Sequence, residues 1–374
     1  MPNLYPALRR LLFALNEEHA HQLVLRILSG VGRLHPLNTY LNDLFRGGLP
    51  ACPVNVMGIH FANPLGLAAG WDKDAIAIDG LAMLGFGFVE LGTVTPLPQS
   101  GNPKPRLFRL RQHDALINRM GFNSAGLNVF LKNLARQQQT TRIGINLGKN
   151  SSTAIDSAIE DYLTGLRAVY CVADYITINI SSPNTAGLRS LEAPARLDDF
   201  LQRLKLDQTR LSDIHSRYVP IVIKLSPDLD VLQLPQVAAM LVEHAIDGVI
   251  ATNTTTQRPS SLLSDANAAQ SGGLSGKPLF EHSTELLAQL HYHLADAVPI
   301  IAAGGITSAA EAWQKLAAGA SLLQVYTGLV YKGPRLMREI LKHIDGQRVA
   351  RNCTHVSELI DKLHAATGSA DAAA

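Results

Sequence analysis

Cysteines, aromatic residues and charges are all sparse in this sequence. Only three of its 374 residues are cysteines, Cys52, Cys171 and Cys353, and they form neither a Cys-x-x-Cys pair nor a spacing typical of metal sites. The sequence therefore predicts free thiols, a reducing compartment and no bound metal ion. The formal net charge is +2, with 17% charged residues, which argues against a broad nucleic-acid-binding surface.

The chain also lacks the long apolar run of a membrane-spanning helix, which needs about 18 residues. Its beginning lacks the continuous apolar region and the small-residue cleavage site of a signal peptide. We therefore expect a protein that faces the cytosol. With 47% hydrophobic residues, the chain can build one large core and a small appendage. We expect three parts: residues 1–45, residues 46–348, and a C-terminal extension, 349–374, that is partly disordered.

The first forty residues contain two apolar stripes with helical spacing. The stripe residues are Leu4, Ala7, Leu8, Leu11, Leu12 and Leu15, and then Ala20, Leu23, Val24, Ile27, Leu28 and Val31. This pattern predicts a helical hairpin whose second helix is capped by Asn16 and ends near Gly32 and Pro36. On the pattern alone, the stripes either pack against the rest of the chain or rest on a bilayer surface, with Arg9 and Arg10 near lipid phosphates.

From about residue 54 the pattern changes to short apolar runs that alternate with helical stretches such as Pro235–His244 and Ala309–Ala318. The runs are Leu65–Ala69, Phe88–Gly92, Arg142–Leu147, Tyr175–Ile180, Ile221–Leu225, Gly248–Ala251, Pro299–Ala303 and Leu322–Tyr326. Most are almost continuously apolar, which is typical of parallel strands buried on both faces. Eight such units predict an α/β fold, a (β/α)₈ TIM barrel behind a small N-terminal helical hairpin. An open, doubly wound sheet is the alternative.

Polar and glycine-rich segments follow nearly every run, and their positions favour the barrel. The segments include 69–73, 92–93, 179–184, 252–254, 304–305 and 326–327. They converge on one place only if the strands form a ring, because an open sheet would spread them along a crevice. The glycines after the last two runs, together with the loop 272–276, indicate a phosphorylated ligand, since barrels commonly bind phosphate at these loops.

Several side chains at the ends of the runs suit a charged, planar ligand. Lys73 and Lys224 follow the first and fifth runs, and a buried lysine there needs an anionic partner, either a reduced flavin or an acidic side chain. Five asparagines offer amide donors and acceptors that suit a pyrimidine. They are Asn118, Asn146, Asn179, Asn184 and Asn253. Ser182 is in no Gly-x-Ser-x-Gly motif, so a general base that passes its own proton on is favoured over a hydrolase nucleophile.

Seven segments, in this order, carry a resemblance to a known family. They are NPLGLAAG at 63–70, KD at 73–74, ELGTVTP at 90–96, NRMGFN at 118–123, NISSPNT at 179–185, GVIATNT at 248–254 and GGLSG at 272–276. Together with the N-terminal hairpin, the set resembles the dihydroorotate dehydrogenases, and in particular their class 2 members. A serine at position 182 resembles class 2, whereas class 1 enzymes use a cysteine as the base.

The resemblance implies a tightly bound FMN and a dihydroorotate molecule against the flavin face. The expected FMN contacts are Ala69, Gly70, Trp71, Asp72, Lys73, Thr93, Asn146, Asn179, Lys224, Thr252, Gly276, Gly305, Tyr326 and Thr327. The expected substrate contacts are Lys73, Asn118, Arg119, Met120, Gly121, Phe122, Asn179, Asn184, Asn253 and Thr254. Ser182 would take the proton from C5 of dihydroorotate while a hydride leaves C6, and the product would be orotate.

The resemblance also gives the hairpin a role, as the entrance through which a membrane quinone reaches the flavin, with His21 and Arg109 as its polar contacts. It implies a monomer bound peripherally to the cytoplasmic side of the cell membrane, acting in de novo pyrimidine (UMP) biosynthesis. Two alternatives stay open. One is a soluble relative that uses another electron acceptor, and the other is a non-catalytic barrel that binds a phosphorylated ligand.

Overall fold

The computed structural model describes residues 5–138 and 140–371, without the side chains of 35–39 and 366–371. Leu4 of the first stripe and the tail residues 372–374 lie outside this part. The helices are α1 Tyr5–Ala14, α2 Glu17–Arg33, α3 His35–Arg46, α4 Ile78–Ala82, α5 Leu127–Leu134, α6 Ala158–Val169, α7 Pro194–His215, α8 Leu234–Glu243, α9 Phe280–Leu294, α10 Ala309–Ala317, α11 Thr327–Lys332, α12 Arg335–Ala350 and α13 Val356–Asp371. The strands are β1 Val54–Val56, β2 Ile59–Phe61, β3 Leu65–Leu67, β4 Phe88–Val94, β5 Leu107–Leu110, β6 Ala115–Asn118, β7 Arg142–Leu147, β8 Tyr175–Asn179, β9 Ile221–Leu225, β10 Gly248–Ala251, β11 Gly273–Gly276, β12 Ile300–Ala303 and β13 Ala320–Val325.

Eight parallel strands close into a barrel in the order β3-β4-β7-β8-β9-β10-β12-β13, with β13 paired to β3. Every run that the sequence analysis assigned to a strand is one of these strands. Three runs have the predicted bounds and the others differ by one or two residues. The prediction of a (β/α)₈ barrel is therefore confirmed, and the open sheet is wrong.

Aromatic rings fill the barrel near the beginnings of its strands. A side chain at Gly66 would overlap the ring of Phe88, and one at Gly144 would overlap the ring of Tyr175. Glycine is required at both positions because interiors are close-packed. Phe61, at the end of the β1–β2 hairpin, closes this side of the barrel, with its ring centroid 5.2 Å from that of Phe88. The core of the protein therefore lies beneath the strand ends that carry the polar segments.

A small antiparallel sheet, which the sequence analysis did not predict, is built from β5, β6 and β11. Its register pairs Leu107 with Asn118 and Asn118 with Gly273. A separate apolar cluster holds the sheet together and includes Phe108, Ile117 and Leu274. The strands of this sheet, within 107–118 and 273–276, lie beside the carboxyl ends of the barrel strands, where they help to form a cleft.

The N-terminal segment forms the predicted hairpin and a further helix, α3. Asn16 caps α2 by accepting hydrogen bonds from the backbone N–H groups of Glu18 and His19, as predicted. One face of α2 packs on α4, where Gly32 and Gly80 allow the two backbones to touch. The opposite side leaves large apolar side chains exposed on α1, α2 and the turn between them. These are Leu8, Leu11, Leu15, Leu23 and Ile27. Among the described residues, no helix is long and apolar enough to cross a bilayer.

Candidate active site

A cleft of about 1260 Å³, counted with its open part, lies at the carboxyl ends of the barrel strands. Seven of the eight barrel strands contribute lining residues at or just past their ends. They include Gly70, Thr93, Asn179, Lys224, Thr252, Gly305 and Tyr326. The ring of strands therefore brings the predicted polar segments together.

The floor of the cleft is organised by Glu90, a fully buried carboxylate in β4. Its Oε1 accepts a hydrogen bond from Asn146 at 2.8 Å. Its Oε2 accepts three more, from Gln324 at 2.8 Å and from Tyr175 and Thr177 at 3.1 Å each. A carboxylate can be buried at acceptable cost only when its lone pairs are satisfied in this way.

Lys224 is the positive partner of this carboxylate. Its Nζ lies 3.9 Å from Oε1 of Glu90, and both side chains are almost inaccessible to solvent. Burial lowers the pKa of Lys224 and the charge of Glu90 opposes this effect. The ion pair therefore fixes an ammonium group at the floor of the cleft, and it shows that one anionic partner of Lys224 is an acidic side chain of the protein itself.

Lys73 lies on the opposite side of the ring, where its Nζ donates a 2.6 Å hydrogen bond to Oδ1 of Asn123. Burial, followed by the repulsion of nearby Arg106, lowers the pKa of Lys73 to about 8. An amine with this pKa is still largely protonated at neutral pH, so it can attract a carboxylate or another anion in the cleft.

Four of the five asparagines line the cleft, and they are joined in two groups. Asn184 donates to Oδ1 of Asn118 at 3.1 Å, and Asn253 donates to Oδ1 of Asn179 at 3.2 Å. The fifth, Asn146, lies beneath the surface and accepts a hydrogen bond from Asn179 at 3.1 Å. These contacts hold the amide groups at fixed positions, which is what recognition of a ligand with several donors and acceptors requires.

Ser182 is buried beside these amides and lines the cleft. Its Oγ accepts a hydrogen bond from the backbone N–H of Asn184 at 3.3 Å. Such a donor stabilises negative charge that develops on the hydroxyl oxygen when it loses its proton. The neighbouring Ser181 is fully enclosed and bonds to Asn179 and Asn253, so its hydroxyl belongs to the supporting network.

Glycine-rich loops close the far end of the cleft. Gly304 and Gly305 have φ angles of 109° and 80°, and Gly276 has a φ angle of 95°, all in the region that favours glycine. A side chain at Gly305 would overlap the backbone of Phe280. The hydroxyl groups of Ser275 and Thr327 meet there at 2.9 Å. Backbone and hydroxyl donors of this kind, without bulky side chains, suit a phosphate group.

The N-terminal helices form the mouth of the cleft. Glu18 receives two hydrogen bonds from the guanidinium of Arg106, at 2.7 and 3.2 Å, and both residues are buried. His21 lines the cleft and also a second cavity, which lies between α2 and the loop 71–76. Burial, then the charge of Lys73, lower the pKa of His21 to about 4. The imidazole is therefore neutral at physiological pH.

The geometry agrees with comparisons to known proteins. The family model described as dihydroorotate dehydrogenase matches residues 52–347. A Burkholderia ambifaria protein named dihydroorotate dehydrogenase (quinone) is 51% identical over 93% of this chain and 99% of its own length, and a Burkholderia cenocepacia relative with the same name is 50% identical over the same shares. The chain belongs to the class 2 dihydroorotate dehydrogenase family.

Solved structures support the same assignment. The Eimeria tenella dihydroorotate dehydrogenase, in a complex with ferulenol, is 36% identical and superposes with a TM-score of 0.77, covering 86% of this chain and 93% of that one. The ligand-free type from the same organism gives the same identity and TM-score. Members of the dihydroorotate dehydrogenase family are flavin-dependent oxidoreductases. A non-catalytic barrel is therefore the wrong interpretation of this cleft.

The structure places most of the residues that the resemblance assigned to the site around one cleft. Those that line it include Ser182, Ala69, Lys73, Lys224, Thr252, Gly276, Tyr326, Thr327, Met120, Gly121, Phe122, Asn118, Asn184, Asn253, Thr254 and His21. Five others do not line it, namely Trp71, Asp72, Arg109, Arg119 and Asn146. For all of these residues, lining or not, the roles as contacts of FMN, substrate or quinone stay predictions.

Those five side chains make other contacts within the protein. Asp72 accepts hydrogen bonds from the backbone of Ile76 and Ala77. Arg119 donates to Gln270. Arg109 holds the turn between α1 and α2, since it donates to the carbonyl of Leu15 at 2.9 Å and lies 4.6 Å above the ring of Phe13.

The sequence analysis gave no role to Glu90, Gln324 or Glu18, although all three lie at the cleft or its floor. The sequence does contain an indication for Glu90 and Gln324, because each is a polar residue inside an otherwise apolar run. A buried polar side chain of this kind is expected to be hydrogen-bonded. The sequence gives no such indication for Glu18, because its partner Arg106 is distant in the sequence.

Proposed function

We propose that this protein oxidises (S)-dihydroorotate to orotate with FMN as the hydride acceptor and passes the electrons to a membrane quinone, as a step of de novo pyrimidine biosynthesis. The observation that carries the proposal is the position of Ser182, which is buried beside the fixed amide groups and lines the same cleft as Lys73. The two Burkholderia relatives are named for the same quinone-linked activity.

The residues of the cleft fit FMN. Gly276, Gly304 and Gly305 line the far end of the cleft, where backbone N–H groups without side chains suit a phosphate, and the ammonium of Lys224 suits the negative edge of a reduced flavin. The buried Oε1 of Gln324 has no hydrogen-bond partner among the described residues, and a ring N–H group would satisfy it. Thr93, Asn179, Thr252, Tyr326 and Thr327 would hold the remaining polar atoms. Bound FMN supplies the acceptor for the hydride.

The protein contributes orientation and charge to the oxidation. Asn118, Asn184 and Asn253 offer the amide donors and acceptors that match the carbonyl and N–H groups of a dihydropyrimidine ring. Lys73 offers an ammonium group for the carboxylate of the substrate. Because the amides are already held by one another, little reorganisation is needed when the substrate binds, and the ring is held in one orientation.

Ser182 would remove the proton from C5 while the hydride leaves C6, so that a C5–C6 double bond forms. A hydroxyl is a poor base unless the charge it acquires is stabilised and its own proton moves on. The N–H of Asn184, 3.3 Å from Oγ, supplies the first condition. Thr185, three residues further on, is a candidate for the proton path, directly or through water.

We infer that quinone enters between the N-terminal helices. The second cavity shares Glu18, His21 and Lys73 with the main cleft, so the two cavities adjoin beside α2. The exposed apolar side chains of α1 and α2 suit peripheral contact with the cytoplasmic side of the cell membrane. A neutral His21 would be a hydrogen-bond partner for a quinone carbonyl, whereas Arg109 would act mainly by holding the hairpin. We expect a monomer.

Stopped-flow measurement of the two half-reactions tests the role of Ser182. The Ser182→Ala variant should reduce its flavin with dihydroorotate about 10²–10⁴ times more slowly, the usual contribution of a general base. Reoxidation by quinone should stay within about twofold, because the serine is not needed in that step. Ser182→Cys, which keeps a proton acceptor, should recover part of the lost rate. Equal losses in both half-reactions would argue for a structural role instead.

A further inference from the structure

Three metal-ligating side chains meet on the outside of the barrel, away from the cleft. His291 lies in the last turn of α9, Asp296 follows the end of that helix, and His364 lies on α13. Their ligand atoms all lie within 4.8 Å of one another. The Nδ1 atoms of His291 and His364 lie 3.7 and 3.5 Å from Oδ1 of Asp296. His364 thus comes from a segment that is distant in the sequence from the other two residues.

These separations suit a tetrahedral metal ion. Zinc binds imidazole nitrogen and carboxylate oxygen at ~2.0–2.2 Å, which places tetrahedral ligand atoms about 3.3 Å apart. The measured separations from Asp296 exceed this value by only a few tenths of an ångström. The two histidine nitrogens lie within 4.8 Å of each other, so rotation of the imidazole rings, together with that of the Asp296 side chain, which is 66% accessible, would bring the three ligand atoms to the spacing that a metal ion needs. Water would complete the coordination.

The ring orientation of His364 points to the same role. Its Nε2 lies 3.3 Å from the carbonyl oxygen of Ala320, to which it donates a hydrogen bond. An imidazole that donates through one nitrogen presents the lone pair of the other, and metal-bound histidines are usually held by a second contact of this type. The Nδ1 atom then lies on the side of the Asp296 carboxylate, 3.5 Å from its Oδ1.

The local electrostatics favour a cation at this position. The Asp296 carboxylate, 3.7 and 3.5 Å from the two imidazole nitrogens, supplies a negative charge at the site. The carboxyl end of α9 adds the negative end of its helix dipole. Ala295 and Asp296 both adopt positive φ angles, 46° and 63°, which turn the chain so that the carboxylate faces the helix end.

We propose that His291, Asp296 and His364 bind one divalent cation of the zinc class, which fastens the C-terminal helix α13 to the barrel. The family model ends at residue 347, so His364 belongs to the extension beyond the matched segment. The spacing of the cysteines predicted no metal ion, and the three ligands proposed here form no sequence motif. The inference does not depend on the proposed redox activity.

Titration of the purified full-length protein tests the site, after treatment with a chelator and removal of the chelator. Isothermal calorimetry with Zn²⁺ should show one ion per chain, and Co²⁺ should give the intense visible absorption of tetrahedral coordination. The variants His364→Gln and His291→Gln should each bind at least about 100-fold more weakly, because loss of even an outer contact costs ~10–100-fold. His293→Gln, on the same helix but outside the cluster, should bind like the original protein.

The stability of α13 gives a second readout. Zn²⁺ should raise the melting temperature and slow proteolysis at the C-terminal extension in the original protein and in His293→Gln, and in neither ligand variant. Two variants on different elements are used because His364→Gln alone could loosen α13. Binding of no ion, or equal binding by all variants, would overturn the proposal. A cluster that responds only to protons would do the same, since it would then be an ion pair and nothing more.

Discussion

Replacement of Glu90 by glutamine should destabilise the protein strongly although it removes only a charge. The carboxylate accepts four side-chain hydrogen bonds and pairs with Lys224. Glutamine offers one acceptor oxygen and an NH₂ group, so at least one buried donor loses its partner, at a cost of ~1–3 kcal/mol. Removal of one partner of a buried ion pair costs ~3–5 kcal/mol. We expect the free energy of unfolding to fall by at least about 3 kcal/mol, a large part of the ~5–15 kcal/mol that is typical of folded proteins.

Glu192→Gln is the matched control, because it makes the same chemical change in another buried glutamate. Burial raises the pKa of Glu192 to about 8, so this group is mostly neutral at pH 7 and glutamine resembles the form already present. The Glu192→Gln variant should lose less than about 1 kcal/mol of its free energy of unfolding, the contribution of a typical neutral hydrogen bond. Urea denaturation followed by circular dichroism measures both variants. A Glu90→Gln protein as stable as the Glu192→Gln protein would refute the ion-pair account of the cleft floor.

Two further predictions concern the N-terminal helices. Arg106→Gln breaks the buried ion pair with Glu18, so hydrogen exchange over residues 5–46 should become faster as these helices loosen. The control is Arg142→Gln, which breaks the exposed pair with Asp174 and should change the exchange little. Equal exchange in the two variants would contradict this prediction. In the folded protein the pKa of His21 is about 4, below its ordinary value near 6.5. Between pH 6.5 and pH 4 the unfolded state therefore binds more protons than the folded state. The free energy of unfolding should fall as the pH is lowered through this range. Urea denaturation should show that the free energy of unfolding is about 1–2 kcal/mol lower at pH 5 than at pH 7. The His21→Asn variant should show a smaller difference. The same pH dependence in the variant and the original protein would contradict a buried, neutral His21.

The barrel was predictable because its strands are continuous apolar runs, and a strand that is buried on both faces leaves this signature in the sequence. The small sheet left none. Its strand β11 pairs with β6 across a long stretch of chain, and β11 consists mostly of glycine and serine. Sequence periodicity cannot reveal a pairing of this kind. The mouth of the cleft depends on this sheet, so its shape could not be foreseen either.

Helix α3 was missed for a different reason. Pro36 was interpreted as the end of the second helix, but it lies in the first turn of a new one. Proline is favoured at that position because the missing N–H would have no partner there. Arg109 shows a related limit, since its guanidinium is bound to the carbonyl of Leu15. Which of several partners an arginine selects depends on a tertiary contact that spacing does not encode.

The most direct test of the central claim is an anaerobic titration of the purified protein while its visible spectrum is recorded. The protein should be yellow, dihydroorotate should bleach the flavin band with a stoichiometry of one per chain, and a soluble quinone should then restore the band. Orotate should appear in the same amount. Protein that stays colourless after incubation with FMN, or a flavin that dihydroorotate leaves oxidised, would contradict the account.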